Sequence, residues 1–116
     1  MITSQRNPKI QYVRSLLARA RRRREAQAFI VEGVRLAEEA LAARQVPELV
    51  LFTAALGPRG MDLVREFESG DAEVLEIADH VMQGISDTRT SQGILVVLPI
   101  RPPNFPPILD FILIVD

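Results

Sequence analysis

Eight of the chain's 14 basic residues fall within its first 24 positions: Arg6, Lys9, Arg14, Arg19, Arg21, Arg22, Arg23 and Arg24. No acid interrupts them. Guanidinium groups pair bidentately with phosphate and stack on base faces, so arginine at this density suits a polyanion. The rest of the chain holds the other 6 bases and all 15 acids, which joins a +8 segment to a −9 body. The formal net charge of −1 is therefore two opposite regions cancelling. Such asymmetry points to nucleic acid or an anionic membrane surface as the partner.

No catalytic constellation stands beside this basic segment. The chain has one histidine, His80, and no cysteine, which argues against a His or Cys metal cluster, thiol catalysis and a His-centred triad. Gly57-Pro58-Arg59-Gly60 lacks the length and the lysine of a phosphate-cradling loop, and no G-x-G-x-x-G occurs. Glu38 and Glu39 are adjacent on an expected helix and so diverge rather than pair. Ser86, Thr88, Thr90 and Ser91 read as turn and cap formers, with no base near them in sequence. On its own chemistry the chain reads as a binding domain.

The elements that position the arginines follow from local pattern. Asn7 is suited to N-cap a helix and Pro8 to occupy its first position, where a missing N–H costs no helical bond. Ile10, Val13, Leu16, Leu17 and Ala20 then recur on a 3.6-residue period. These signals predict one amphipathic helix over about residues 8–24, apolar on one face and basic on the other. Arg22, Arg23 and Arg24 would close it, at the negative end of its dipole. A merely solvated face would carry mixed charges. An organelle-targeting peptide would share the arginines, but the pattern runs on unbroken toward Phe29 and serine is scarce. A membrane-surface helix would need aromatic anchors, and Tyr12 alone is present. RNA or DNA is the partner these residues fit best.

Beyond Glu25 the pattern alternates. Phe29–Val31 predicts a short strand, Val34–Arg44 a helix stopped by Pro47, and Leu49–Phe52 a second strand. Met61–Glu68 predicts a helix closed by Gly70, and Val74–Ile77 a third strand. Asp79 can open a short helix through Gln83, Ser86–Gln92 reads as a polar loop, and Ile94–Leu98 is the most apolar strand. Three strands apolar on both faces predict a three-layer α/β/α domain over residues 1–98 with a mostly parallel four-stranded sheet. Ligands in such sheets gather at the strands' carboxyl ends, here Glu32–Arg35, Thr53–Gly60, Ala78–Asp79 and the chain after Leu98.

The C-terminal stretch changes character. Pro99, Pro102, Pro103, Pro106 and Pro107 predict a semi-rigid linker over residues 99–107. Residues 108–116 then read as a strand buried on both faces, with nothing after Asp116 to bury it. That predicts a chain cut just after the first strand of a second domain; alternatively the strand completes the first sheet. At 116 residues, 47% hydrophobic and 25% charged, the composition is that of a globular domain. No apolar run approaches the roughly 18 residues of a membrane span.

Three stretches in order carry a family resemblance. They are Thr3-Ser4, Asn7-Pro8 and Val13-Arg14; then Phe29-Ile30-Val31-Glu32-Gly33 with Arg35 and Glu39-Ala40; then Ser86-Asp87-Thr88 running to Gln92-Gly93-Ile94-Leu95. At these spacings, over roughly residues 3–98, the chain resembles the N-terminal substrate-binding domain of SpoU/TrmH-type RNA 2′-O-ribose methyltransferases. The resemblance implies an α/β/α fold similar to ribosomal proteins that bind kinked RNA. It also implies a cytoplasmic parent enzyme that transfers a methyl group from S-adenosylmethionine to a ribose 2′-hydroxyl of ribosomal or transfer RNA. The knotted cofactor site, the catalytic residues and a homodimer interface would lie in a SPOUT domain of which residues 108–116 are the first strand. Position by position, the implied RNA-facing residues are Ser4, Arg6, Asn7, Arg14, Glu32, Gly33 and Arg35. The family often has proline before the Gln-Gly pair, where Ser91 stands here, which makes that turn less rigid.

The residues themselves agree in part. Gly33 and Arg35 sit at an expected helix N-terminus that favours a phosphate, and Glu32 could accept hydrogen bonds from a base or a ribose hydroxyl. With Lys9 and Arg21–Arg24 from the basic helix, these form the expected RNA-binding set. The expected partner is structured RNA, with no membrane, no metal and no cofactor in this chain. Two other readings remain open: a stand-alone RNA-binding protein of ribosomal type, and a protein–protein docking module whose basic helix meets an acidic partner.

Overall fold

A short polar cap starts the first helix as its sequence requires. Asn7 Oδ1 accepts the Lys9 amide at 2.9 Å and Pro8 takes the first position. The computed structural model describes residues 1–85 and 93–100. In chain order these form α1 (Pro8–Ala18), α2 (Ala20–Ala26), β1 (Ala28–Glu32), α3 (Val34–Ala42), β2 (Leu49–Phe52), α4 (Pro58–Glu68), β3 (Glu73–Glu76), α5 (Asp79–Ile85) and β4 (Ile94–Pro99). The expected polar loop 86–92 and the expected strand 108–116 lie outside the described residues, as does the linker beyond Ile100.

The sheet has the order β1-β4-β2-β3. Its central strands are apolar at consecutive positions because helices cover both faces. Leu49, Leu51, Leu95 and Val97 face Ile10, Val13 and Leu16 of α1 and Val81, Met82 and Ile85 of α5. Val50, Ile94, Val96 and Leu98 face Ala37 and Ala40 of α3 and Leu63, Val64 and Phe67 of α4. The expected three layers are present.

The expected mostly parallel sheet is not. β4 runs antiparallel to both its neighbours, β1 and β2, and β2 with β3 is the parallel pair. Double-sided burial reports that both faces are covered, not which way a strand runs. The direction is set by the connection from β3. Ile77 donates to Phe52 O at 2.8 Å and Thr53 donates to Gly93 O at 3.0 Å, so this connection leaves and re-enters at one end of the sheet. α5 has seven residues, about 10 Å at 1.5 Å per residue, and makes no full crossover. The chain after Leu98 therefore leaves from the end opposite the loops that follow β1, β2 and β3.

The expected continuous basic helix is broken as well. Arg19 takes extended angles (φ −138°, ψ 119°) between α1 and α2, so Ala20 is exposed rather than part of the buried stripe. Helix α4 starts earlier than expected, at Pro58, and ends at Ser69 without using Gly70 as a left-handed cap. α1 crosses the sheet obliquely. Lys9 is ion-paired with Glu73 of β3, Tyr12 Oη donates to Glu48 beside β2 at 2.9 Å, and α2 delivers the chain to β1 through Gln27.

Candidate nucleic-acid interface

The break at Arg19 turns a basic face into a concave one. Arg14, Arg19, Arg21 and Arg22, with Gln11 and Glu25, line a cleft of ≈ 530 Å³ between α1 and α2. A straight helix would spread these arginines along its outer surface. Folding at residue 19 brings the two groups to face one space. Arg14 and Arg19 are exposed and have no acidic partner among the described residues. Arg21 Nε lies 3.6 Å from Glu25 Oε2, and Arg22 Nη1 lies 3.5 Å from Glu25 Oε1.

The other basic residues of this segment have different duties. Arg23 is half-buried, and its Nη1 donates to Leu16 O at 2.5 Å and Leu17 O at 3.4 Å, closing the last turn of α1. That places its guanidinium on backbone carbonyls rather than in the cleft. Arg24 is exposed and has no acidic partner among the described residues. Lys9 is held by Glu73, a partner 64 residues away that local pattern could not show.

The residues implied by the resemblance separate into two further groups. Ser4 Oγ accepts the Arg6 amide at 3.1 Å, and Asn7 is spent on its cap. This segment lies at the β3 edge, where Ile2 bridges Ile77 and Thr3 O lies 3.0 Å from His80 Nε2. Glu32, Gly33 and Arg35 lie at the end of β1, the opposite edge. Four strand spacings, about 19 Å, separate β1 from the line of Ile2. Gly33 is the N-cap of α3 at φ 105°, ψ 156°, and its N–H donates to Ile94 O at 3.1 Å. That donor belongs to the sheet. Arg35 is highly exposed, with Nε 3.8 Å from Glu39 Oε1. Of the twelve expected site residues, Arg14, Arg21 and Arg22 share the cleft, joined there by Arg19. Lys9, Arg23 and Arg24 are not in its lining, and the other six fall into two groups at opposite edges of the sheet.

Acidic residues collect elsewhere. Arg59 of α4 grips Glu38 of α3, with Nε donating to Oε2 at 2.6 Å and Nη2 to Oε1. The guanidinium holds the Glu38 carboxyl below its ordinary range. Tyr12, partly desolvated and donating to the Glu48 carboxylate, has its pKa pushed up to about 12. His80 lies exposed on α5, bonded to backbone. Among the described residues no group of three or more His, Cys, Asp or Glu side chains could hold a metal, and no helix is long and apolar enough to cross a membrane.

Comparison with known proteins agrees with this architecture. The sequence model of a family described as MRM3-like substrate binding domain matches residues 7–96, from the α1 cap into β4. An RNA 2′-O ribose methyltransferase structure superposes with TM-score 0.73 at 26% identity, covering 89% of this chain and 38% of that one. An rRNA methyltransferase from Sinorhizobium meliloti gives 0.72 at 21% identity, covering 84% and 36%. A protein from Porphyromonas gingivalis, described as a putative RNA methyltransferase of the TrmH family, gives 0.64 at 29% identity, covering 86% and 36%. The chain therefore spans little more than a third of the length of each of these structures. No curated protein matches it in sequence. The resemblance to SpoU/TrmH-type substrate-binding domains is borne out.

Proposed function

The chain belongs to the family of MRM3-like substrate binding domains, and from that premise we propose that it recognises RNA for an S-adenosylmethionine-dependent RNA 2′-O-ribose methyltransferase. The observation that carries this reading is the α1–α2 cleft, where four arginines face one space. Phosphodiester oxygens are the anions that such a forked, permanently charged set fits best. The names of the similar structures support ribosomal RNA or another structured RNA as the substrate. The flanking groups at Ser4–Asn7 and Glu32–Arg35 would extend the contact across one end of the domain, in the manner of ribosomal proteins that bind kinked RNA.

Methyl transfer belongs, in this reading, to a domain that continues from residue 108 and carries the dimer interface of a cytoplasmic enzyme. In this reading S-adenosylmethionine binds in that further domain. Two cavities among the described residues are solvent-open and charged, one lined by arginines and the other by Glu38, Arg59, Asp62 and Glu66. The chain alone should neither transfer a methyl group nor give calorimetric heat with the cofactor.

Salt dependence tests the reading. If about six arginines meet phosphates, the log–log slope of affinity for a structured RNA against salt should be near −4 to −5. Alanine at Arg14, Arg19, Arg21 and Arg22 should flatten that slope. An unchanged slope would remove the cleft from the interface.

A further inference from the structure

The arginine cleft contains its own anion. Among the described residues lining it, Glu25 is the acidic one, and it engages Arg21 and Arg22 together while leaving Arg14 and Arg19 uncompensated. Glu25 and Arg22 also line an adjoining cavity of ≈ 220 Å³ beside Tyr12, so the pair stands between the two spaces. The contacts are loose. At 3.5 and 3.6 Å they exceed the 2.7–2.9 Å of a tight charge-assisted bond, and the Glu25 side chain is 50% exposed. An ion pair of this kind is worth little and exchanges readily.

We propose that Glu25 is a built-in competitor for RNA backbone phosphate. The proposal rests on the RNA-binding reading above and adds a regulated order of contacts to it. A first phosphate meets Arg14 and Arg19, where no acid competes. A second reaches Arg21 and Arg22 by displacing the Glu25 carboxylate from the same guanidinium groups. An isolated phosphate or a smooth extended strand offers one such contact at a time and leaves the Glu25 pairs in place. A backbone bent tightly enough to bring two phosphates into the cleft replaces them. Glu25 thereby lowers affinity for RNA in general and raises the preference for bent RNA.

The test measures binding of the 116-residue chain to a labelled bulged RNA hairpin and to an unpaired strand of the same composition, by fluorescence anisotropy at one salt concentration. Glu25→Gln removes the charge and keeps the shape. It should tighten binding about two- to fivefold, the scale of one exposed ion pair, and tighten the unpaired strand more than the hairpin. Glu68→Gln makes the same charge change at an exposed site on α4, across the sheet. It should give a smaller gain. In an Arg21→Ala/Arg22→Ala background, Glu25→Gln should give no gain. Equal gains from Glu25→Gln and Glu68→Gln, or a full gain in the double-alanine background, would overturn the competitor role while leaving RNA binding intact. Absence of salt-sensitive binding by the unaltered chain would overturn the RNA reading itself.

Discussion

Arg23 reaches back across the helix break to the carbonyl of Leu16, its Nη1 donating at 2.5 Å. This bond ties α2 to the last turn of α1 and so sets the angle at Arg19 that shapes the cleft. A charged donor on a helix's orphan carbonyls contributes roughly 1.5–3 kcal/mol. Arg23→Met, which keeps the stem and removes the fork, should lower unfolding stability by about 1–3 kcal/mol in urea titrations. Arg24→Met should be near neutral. Equal small effects at the two positions would mean that Arg23 does not hold the break.

The buried stripe of α1 was legible in the sequence and the break was not, for a physical reason. Ile10, Val13 and Leu16 recur at helical spacing and are all buried, because one face of a helix must leave water. Arginine has good intrinsic helix propensity, so nothing local marks Arg19 as a stop. The stop depends on a side chain four residues later bonding a carbonyl three residues earlier, which is a tertiary fact. The same division holds for the sheet. Ile94–Leu98 announced two-sided burial, but its antiparallel direction followed from β3 ending and β4 starting at one end of the sheet. It holds for the site too. The basic density at residues 6–24 was plain, whereas the diversion of Lys9 to Glu73 and of Arg23 to Leu16 required the fold.

Gly33 separates a structural role from a ligand-binding one. Its φ of 105° with ψ of 156° lies in a region that glycine alone adopts readily. Its N–H is already committed to Ile94 O, the contact that joins the end of β1 to the start of β4. Gly33→Ala should therefore cost about 1–3 kcal/mol of stability. The slope of RNA affinity against salt should stay unchanged, since no charge is altered. Retained stability with a sharp loss of RNA affinity would show instead that the position meets the substrate directly.

Tyr12 gives the domain an alkaline signature. Partial burial comes first among the causes that push its pKa up to about 12, followed by its bond to the Glu48 carboxylate. The folded value lies above the ordinary value of 10.0. Between the two the folded state holds a proton that the unfolded state has lost. The phenol's stabilising contribution is thus complete below pH 10 and declines as pH rises through about 12. Ultraviolet titration of the phenolate, from the chain's single tyrosine, should give a midpoint well above 10. Tyr12→Phe should flatten the fall of stability across that window. A midpoint at the ordinary value would mean that neither the burial of Tyr12 nor its Glu48 contact persists in solution.

The Arg59–Glu38 fork makes the opposite prediction at acid pH. The bond from Arg59 is the largest cause holding the Glu38 carboxyl below its ordinary 4.5, with the positive charge adding to it and desolvation opposing. A depressed folded pKa means that the unfolded chain binds its proton first as pH falls. The pair's contribution is present above the ordinary carboxylate range and disappears as pH drops through the lowered folded value. The pair lies at the surface, with Arg59 exposed and Glu38 partly so, and the effect on overall stability is small and salt-sensitive. The Glu38 carboxyl resonance is the sharper readout, since it reports this one group. In the unaltered chain it should titrate below the ordinary 4.5. Arg59→Gln should return it to the ordinary range while leaving the α1–α2 cleft, on the other face of the sheet, and its RNA salt slope untouched. A Glu38 resonance that titrates at the ordinary value with Arg59 in place would mean that the fork does not bridge α3 and α4 in solution.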